Sequence, residues 1–391
     1  MDRHIYLDNS ATTKICDEAL NKYIEISREC YGNPSSLHGY GFEAEKVLEA
    51  ARREVRLSLG AKGDDVVFCA SGSEANNLAI LGRAFSKERY RRGAKIITTD
   101  GEHASVNEPL AKLESLGFKI VRIPTLRGEL DMKRLQQEMT PDVILVTMMM
   151  VNNETGAYYD IPSVSRLVRV LSKDALLHVD ATQSYMKIPF TKASLGADMI
   201  TLSSHKIEGP KGVGALLLDE RVKKTRALSP IILGGGQEGG LRSGTENVPA
   251  IAAFGEAVRL GAVNIKENYR RCAELRDYLI SSIEGCDALS EISITRPRVS
   301  APHILNITLP SIKSETMLHY LSSLGIYVSS GSACSSNGHG TSPALVAFGR
   351  SAEEADYSIR ISLSHRNEKA DIDALIEALA SGLEKLARVR Q

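Results

Sequence analysis

The chain lacks the features that would assign it to several large classes of protein. Its 48 basic and 48 acidic side chains balance to a formal net charge of zero, so no overall basic field favours nucleic acid or an anionic membrane surface. No apolar run approaches the roughly 20 residues that a membrane span requires, and the first residues carry no signal-peptide core. We therefore expect no direct nucleic-acid partner and no membrane association.

The cysteines lack the spacings that bind metal or mark a disulfide framework. Six are present, with no CxxC pair and no zinc-like arrangement. This usage is typical of free thiols in a reducing compartment. The sequence therefore predicts a cytoplasmic protein without a metal site.

What the chain does have is an alternation of short apolar strands with helical stretches. The predicted strands include Asp65–Cys69, Val143–Met149 and Leu176–Val179, and Val143–Met149 is apolar throughout. The alternation predicts an α/β fold with a largely parallel sheet covered by helices on both faces. A long helical stretch from Pro249 to Ile283, interrupted near Gly261, is expected to lead into a second lobe.

Polar side chains follow several of these strands closely. They are His103, Asn153, Asp180, Gln183 and Lys206. Ligands of such sheets bind beyond the carboxyl ends of the strands, so we expect these five side chains to share one site.

The stretch Ser203-Ser204-His205-Lys206 holds a lysine that could form a Schiff base with an aldehyde cofactor. The alternative for a single lysine is a solvated position on a loop. Asp180 could sit against a pyridine nitrogen and keep it protonated, or simply cap a turn. His103 could stack on the same ring, or cap a helix.

The stretch from Ser71 to Asn77 joins a strand to a helix through glycine and serine. Backbone N–H groups and the positive end of a helix favour a phosphate at such a position. The alternative is an ordinary helix start with Ser73 as the capping residue.

Taken together, these motifs resemble the cysteine desulfurase family, a branch of the fold-type-I pyridoxal-phosphate enzymes, and in particular its long-loop subgroup. The resemblance extends over nearly the whole chain. The matching stretches are residues 6–13, 32–38, 71–77, 102–103, 151–156, 178–183, 203–206, 209–214, 234–245 and 329–336.

The resemblance implies a fold and a division into domains. We expect an aminotransferase-like large domain with a mostly parallel seven-stranded sheet over residues 16–255. A smaller α/β domain would comprise residues 1–15 and 256–391 and carry the catalytic cysteine loop, 329–341.

The resemblance also implies pyridoxal 5'-phosphate as the cofactor. Lys206 matches the Schiff-base lysine, Asp180 the partner of the pyridine nitrogen, and His103 the residue over the ring. Gln183 and Asn153 match the side chains near the phenolic oxygen of the cofactor.

The phosphate ligands follow from the same resemblance. They are Gly72, Ser73, Ser203 and His205, with Ser73 standing where many relatives have threonine. Thr245 matches a residue that reaches the phosphate of a neighbouring subunit, which implies a homodimer.

For the substrate, Arg360 matches the arginine that pairs with a carboxylate, a bidentate role that suits guanidinium, and Asn33 is expected to assist it. Cys334 is flanked by serine and glycine, a composition typical of a flexible loop. The alternative for an isolated cysteine is a small buried residue.

The function that the resemblance implies is conversion of L-cysteine to L-alanine, with the sulfur held as a Cys334 persulfide. Lys206 would serve as the base, and His103 would manage a proton near the thiol. A sulfur-acceptor protein would receive the persulfide. An iron–sulfur scaffold and a tRNA-thiolation protein both remain open as acceptors.

Three positions depart from the family pattern or stand out beside it. Many relatives have an aromatic or other residue at Glu208 and arginine at Gly239. His339 could act as a local base or, with Cys334, as a metal ligand, but the alternative is a solvated loop histidine. The alternative functions are a selenocysteine lyase or another pyridoxal-phosphate lyase or transaminase, and an assembly subunit without catalysis.

Overall fold

The computed structural model describes residues 4–87, 93–310, 312–330 and 341–388. Cys334 and His339 lie outside these residues. The helices are α1 Asp17–Glu29, α2 Gly39–Ser58, α3 Gly72–Ala84, α4 Ala104–Ser115, α5 Met132–Glu138, α6 Ile161–Leu171, α7 Lys192–Leu195, α8 Glu220–Lys224, α9 Val248–Glu284, α10 Ser314–Ser323, α11 Pro343–Phe348, α12 Ala352–Asp356 and α13 Lys369–Arg388. The strands are β1 Ile5–Tyr6, β2 Asp65–Cys69, β3 Lys95–Thr99, β4 Lys119–Ile123, β5 Val143–Met149, β6 Leu176–Asp180, β7 Met199–Ser203, β8 Gly214–Leu218, β9 Ser293–Ile294, β10 Ile304–Thr308, β11 Ile326–Tyr327, β12 Ser329–Ser330 and β13 Ser358–Ser362.

A seven-stranded sheet forms the larger half of the structure. Its strand order is β2-β8-β7-β6-β5-β3-β4. All neighbouring strands run parallel except β8, which is antiparallel to both β2 and β7. The predicted α/β class and the mostly parallel seven-stranded sheet are thus confirmed.

Helices cover both faces of this sheet, because its strands are apolar on both sides. Alternate residues of β8 show the pattern. Ala215 and Leu217 pack with α2, α6 and α9, whereas Leu216 and Leu218 pack with α3 and α4. Burial on both faces forces polar side chains to the ends of the strands, which is where the predicted site residues stand.

A second core lies around a four-stranded sheet of order β12-β13-β10-β9. Helices α10 and α13 and the C-terminal part of α9 supply apolar side chains to it. Ile5 and Leu7, from the start of the chain, belong to the same core, and β1 pairs with β11 in parallel. The two ends of the sequence therefore meet in one hydrophobic cluster.

The predicted interruption near Gly261 is wrong, since α9 runs unbroken for 37 residues. A Cβ on Gly261 would lie 3.0 Å from the Cγ atom of Met186. The glycine therefore permits close packing against Met186 and does not break the helix. Helix α2 begins at Gly39, where the imidazole of His38 caps it by accepting from the backbone N–H of Gly41.

Among the described residues, α9 alone has the length and mean hydropathy of a candidate membrane span, which differs from the expectation for the sequence. Half of its most apolar window is buried inside the protein. Its two ends contribute to the two cores. The core helix of a protein that crosses no membrane meets the same criteria.

His178 lies inside the large sheet and is fully buried. Its Nδ1 atom is 2.8 Å from Thr147 Oγ1 and its Nε2 atom is 2.9 Å from Thr201 Oγ1, so it bridges β5 and β7. Burial lowers the pKa of His178 to about 4, although the charge of Asp180 acts in the opposite direction. The imidazole is therefore neutral in the folded chain.

We expect this histidine to make the fold sensitive to acid. The unfolded chain takes up the proton near pH 6.5, whereas the folded chain does so only near pH 4. The free energy of unfolding is therefore expected to fall as the pH drops through this interval. In His178→Asn, which has no proton to bind, the loss should be shallower by up to about 1.4 kcal/mol per pH unit. Urea denaturation at several pH values measures both slopes, and parallel slopes would contradict the assignment.

Candidate active site

Ten of the thirteen predicted site residues line a single cleft of about 280 Å³ beyond the carboxyl ends of β5, β6 and β7. They are Gly72, Ser73, His103, Asn153, Asp180, Gln183, Ser203, His205, Lys206 and Arg360. Arg360 comes from β13, in the second sheet, and the others come from the large sheet and its loops. Asn33 and Thr245 are exposed and do not line the cleft.

Lys206 ends the single turn of 3-10 helix, Ser204–Lys206, that directly follows β7. Its Nζ atom donates to the backbone carbonyl oxygens of Ser10 at 2.5 Å and Ala11 at 2.7 Å. The extended segment near the N-terminus thus directs this amine into the cleft. Because the side chain of Lys206 is half-buried and makes these two hydrogen bonds, the alternative of a solvated loop lysine is wrong.

The amine of Lys206 lies among other basic groups, and its charge lowers the pKa of three of them, His103, Lys187 and His205. Burial and then Lys206 lower the pKa of Lys187 to about 7. Burial and then Lys206 also lower the pKa of His205 to about 4. Both groups are therefore largely or wholly neutral above pH 7. The Nζ atom of Lys187 lies 3.4 Å from the Oε1 atom of Gln183. The Nε2 atom of Gln183 donates to the backbone carbonyl oxygen of Ser10.

Asp180 is the last residue of β6 and is 6 % exposed. Its Oδ1 atom accepts from the backbone N–H of Thr182 at 2.9 Å. Its Oδ2 atom accepts from the Nδ2 atom of Asn76 at 2.8 Å. Bonds from two sides fix the plane of the carboxylate at the wall of the cleft.

His103 opens helix α4 as its N-cap residue. Its Nδ1 atom accepts from the backbone N–H of Ser105 at 3.1 Å. The preceding residue, Glu102, is fully buried and binds the backbone N–H of Met149 and the hydroxyl of Thr99. Burial raises the pKa of Glu102 to about 8. These contacts hold the turn after β3 in place, so the capping and cleft-lining interpretations of His103 are both correct.

The other end of the cleft is built for an anion. Helix α3 begins there, and the first N–H groups of a helix have no partner inside the helix. The capping residue is Ser71, whose hydroxyl accepts from the backbone N–H of Glu74, so the alternative of a helix start capped by Ser73 is wrong. Gly72 faces Ser203 and Thr182, because a Cβ on it would lie 3.2 Å from a side-chain atom of each.

Arg360 is 3 % exposed and is fixed by two bonds. Its Nη1 atom donates to the carbonyl oxygen of Asn153 at 2.9 Å, and its Nη2 atom donates to Asp8 Oδ1 at 2.9 Å. Its Nε atom is buried and has no hydrogen-bond partner within the described part of the chain. The guanidinium thus lines the cleft and still has N–H groups that could donate to a bound carboxylate.

A buried contact lies beside Arg360, at the point where the described chain resumes after residue 340. The hydroxyl of Ser342 donates to Glu154, the residue after Asn153. Burial raises the pKa of Glu154 to about 7, while Ser342 and Arg360 act in the opposite direction. This contact holds Ser342 against the residue that follows Asn153.

The two departures from the family pattern stand outside the cleft. Glu208 pairs with Arg366 at 2.6 Å and lines a neighbouring cavity of about 180 Å³. Gly239 is exposed, with φ +64° and open space around the position of a Cβ. Neither position removes a group that lines the cleft.

Several residues in or beside the cleft were not predicted as site residues from the sequence, among them Asp8, Ser10, Asn76, Ser105 and Lys187. Asp8, Ser10 and Asn76 lie within stretches that the resemblance covers, and Ser105 follows His103 by two positions. Their part in the site depends on contacts between distant segments, such as that of Asp8 with Arg360. Nothing in the sequence marks Lys187 as a site residue, because only its burial in the fold distinguishes it from a surface lysine.

This fold, with a lysine after β7 and an acid at the end of β6, defines the class of fold-type-I pyridoxal-phosphate enzymes. The family model described as aminotransferase class-V matches residues 5–375. The chain belongs to this family and, within it, to the cysteine desulfurases, as the following relatives show.

The chain is 37 % identical to the cysteine desulfurase IscS of Dictyoglomus turgidum over 391 residues, which cover 100 % of this chain and 97 % of the relative. A solved structure of a NifS-like protein matches with a TM-score of 0.89 and 35 % identity, covering 98 % of this chain and 100 % of the other. A structure described as SspA in complex with cysteine matches with a TM-score of 0.77 and 30 % identity, covering 92 % of this chain and 98 % of the other.

The anion end of the cleft generates a prediction. Gly72→Val places a branched side chain against Ser203 and Thr182, so binding of pyridoxal 5'-phosphate should weaken at least about tenfold, the equivalent of one lost hydrogen bond. Absorbance titration of the cofactor-free protein measures the affinity. Gly39→Val is the matched control, since Gly39 is also the first residue of a helix and has open space around it. Equal affinity in the two variants would contradict the assignment of the anion site.

Proposed function

We propose that this chain is a pyridoxal-phosphate-dependent cysteine desulfurase that converts L-cysteine to L-alanine and holds the sulfur as a persulfide on Cys334. The observation that carries the proposal is the convergence of Lys206, Asp180 and Arg360 on one cleft. An amine, a carboxylate and a guanidinium at these places suit an aldehyde cofactor, a pyridine nitrogen and an amino-acid carboxylate. Membership of the cysteine desulfurases supports the reaction.

The residues of the cleft fit pyridoxal 5'-phosphate. The N-terminus of α3, with Gly72 and Ser73, would hold the phosphate together with Ser203 and His205. Asp180 would pair with the ring nitrogen, His103 would lie over the ring, and Gln183 and Asn153 would lie near the phenolic oxygen. When bound, the cofactor supplies an electron sink for the carbon that loses a proton.

The chain's own residues bind the substrate and move the proton. Arg360, held by Asp8 and Asn153, would bind the carboxylate of L-cysteine. Lys206, whose amine Ser10 and Ala11 direct into the cleft, would take the proton from the α-carbon. Asn33, which does not line the cleft of its own chain, would assist in the proposed assembly of two subunits.

Cys334 would accept the sulfur. Its thiolate attacks the sulfur of L-cysteine, so that an S–S bond forms while the C–S bond breaks. The bonding pair of the broken bond stays with carbon, which is protonated, and the products are L-alanine and the Cys334 persulfide. The step needs no external oxidant, because the carbon that keeps the bonding pair is reduced as the sulfur of Cys334 is oxidised. The Ser342–Glu154 contact supports this role, because it holds Ser342, eight residues after Cys334 in the sequence, close to Asn153 and Arg360.

A homodimer is part of the proposal. Large apolar side chains surround Asn33 on the surface: Tyr31, Leu37, Tyr40 and Phe42 are 56–106 % exposed. Clusters of exposed apolar side chains mark interaction sites. A second copy on this surface would bury them, and Thr245, which is exposed here, would then reach the phosphate site of the other subunit.

The sulfur acceptor is proposed as a protein of iron–sulfur cluster assembly or of tRNA thiolation. We further propose a cytoplasmic location, in keeping with the free thiols of the five cysteines in the described part of the chain. Residues 1–15 and 256–391 are proposed as the small domain, and 16–255 as the large one. The second core around β10 and β13 supports this division.

The desulfurase proposal is tested by removing one thiol. Cys334→Ala, loaded with cofactor, should form at least about a hundredfold less alanine from L-cysteine in the presence of a thiol reductant, because the nucleophile is missing. Cys286→Ala removes another free thiol and should retain activity.

Persulfide on the protein, detected by mass spectrometry after one turnover, should be found in the wild type and in Cys286→Ala but not in Cys334→Ala. Sulfur release by Cys334→Ala at the wild-type rate would overturn the proposal. Parallel reactions with L-selenocysteine separate the desulfurase from the selenocysteine lyase: a large preference for L-selenocysteine would favour the lyase.

The dimer is tested by placing a charge on the exposed apolar surface. Leu37→Glu together with Tyr40→Glu should shift the mass in light scattering from two chains towards one, because a buried charge without a partner opposes association. Leu324→Glu, at another exposed apolar position, serves as the control and should remain a dimer. A monomeric wild-type protein would refute this part of the proposal.

A further inference from the structure

The protonation state of His103 follows from its hydrogen bonds, and only its consequence for catalysis rests on the proposed function. A chain of hydrogen bonds connects two residues that line the cleft, Asp180 and His103, through Asn76 and Ser105. The distances are 2.8 Å from Asp180 Oδ2 to Asn76 Nδ2, 2.9 Å from Asn76 Nδ2 to Ser105 Oγ, and 2.8 Å from Ser105 Oγ to His103 Nδ1.

The direction of each bond follows from the chemistry of its two ends. A carboxylate such as Asp180 only accepts, so Asn76 must present its Nδ2 group and not its oxygen. The second hydrogen of that same group lies towards Ser105 Oγ. Asn76 Oδ1 is buried without a partner within the described part of the chain, which agrees with both contacts being made by the nitrogen.

Ser105 therefore accepts from Asn76 and has one hydroxyl hydrogen left. Its neighbour on the other side is His103 Nδ1, so that hydrogen is directed to the ring. The backbone N–H of Ser105 donates to the same Nδ1 atom at 3.1 Å. An atom that faces two donors must be an acceptor.

We infer that Ser105 and Asn76 hold His103 as the neutral tautomer with its hydrogen on Nε2, so that His103 donates a hydrogen bond in the cleft but neither takes nor gives up a net proton. Adding a proton would require Nδ1 to carry a hydrogen against two donors. Losing the Nε2 hydrogen would produce an imidazolate, which is far too basic to form near neutral pH.

The charges around the ring agree with this. Burial lowers the pKa of His103, the carboxylate of Asp180 raises it, and Lys206 and Arg360 lower it, with a net shift below the ordinary value. In the proposed reaction the net proton transfers therefore belong to Lys206 and the thiols. Ser105 and Asn76 act through His103 as positioning residues.

The tautomer can be measured directly by nitrogen NMR of cofactor-free protein labelled with ¹⁵N-histidine. The chain has nine histidines, and His103→Gln identifies the signals of His103. At pH 7 we expect a protonated Nε2 atom and an unprotonated Nδ1 atom. A hydrogen on Nδ1, or a charged ring at pH 7, would overturn the inference.

The role of Ser105 is tested in the same titration. Ser105→Ala removes the hydroxyl donor, so the pKa of His103 should rise towards its ordinary value of about 6.5. Ser115→Ala is the matched control, because Ser115 is in the same helix and its hydroxyl donates to the carbonyl oxygen of Lys112 in that helix. An unchanged midpoint in Ser105→Ala would refute the positioning role.

Activity of the loaded enzyme supplies an independent readout. Glutamine can still donate from its side-chain nitrogen, whereas phenylalanine can only stack. We expect His103→Gln to keep at least about tenfold more of kcat than His103→Phe, with a pH profile of the same shape as the wild type. Equal losses with a missing limb in the pH profile would show proton transfer by His103. Absence of alanine in the wild type would refute the proposed function but leave the NMR result in force.

Discussion

The site depends on the extended segment between β1 and α1, which ties the two cores together across the cleft. Its backbone binds the second sheet where Asn9 donates to the carbonyl oxygen of Ser362. It binds the large sheet where Thr13 donates to the carbonyl oxygen of His205. Between these two attachments, Ser10 and Ala11 accept from Lys206. The position of the lysine is therefore fixed by a segment almost 200 residues away in sequence.

The electrostatics of the cleft follow from burial around one carboxylate. Asp180 raises the pKa of His103, His178 and Glu102, yet burial keeps both histidines neutral and makes protonated Glu102 the favoured form near neutral pH. The strand ends thus bring together groups that can ionise but remain uncharged. Asp180, Lys206 and Arg360, which also line the cleft, are the groups that the proposed chemistry uses.

Much of the fold could be predicted from the sequence because its strands are buried on both faces. Continuous apolar runs such as Val143–Met149 indicate strands without ambiguity about which face is inside. The strand-end rule then placed His103, Asp180 and Lys206 at one edge, as observed. The choice of Ser71 over Ser73 as the cap, and the unbroken course of α9 past Gly261, could not be predicted, since each depends on how close another segment packs. The same is true of Asp8 and Asn76, whose side chains find partners far away in sequence.

The continuous course of α9 has a mechanical consequence for the whole molecule. At 1.5 Å per residue, its 37 residues form a rod about 55 Å long. Its N-terminal part packs against the large sheet, through residues such as Phe254, and its C-terminal part packs in the second core, through residues such as Leu279. Because one continuous helix is packed into both cores, the cores are mechanically coupled. A rotation of one core relative to the other about this helix would disturb the close packing of Gly261 against Met186.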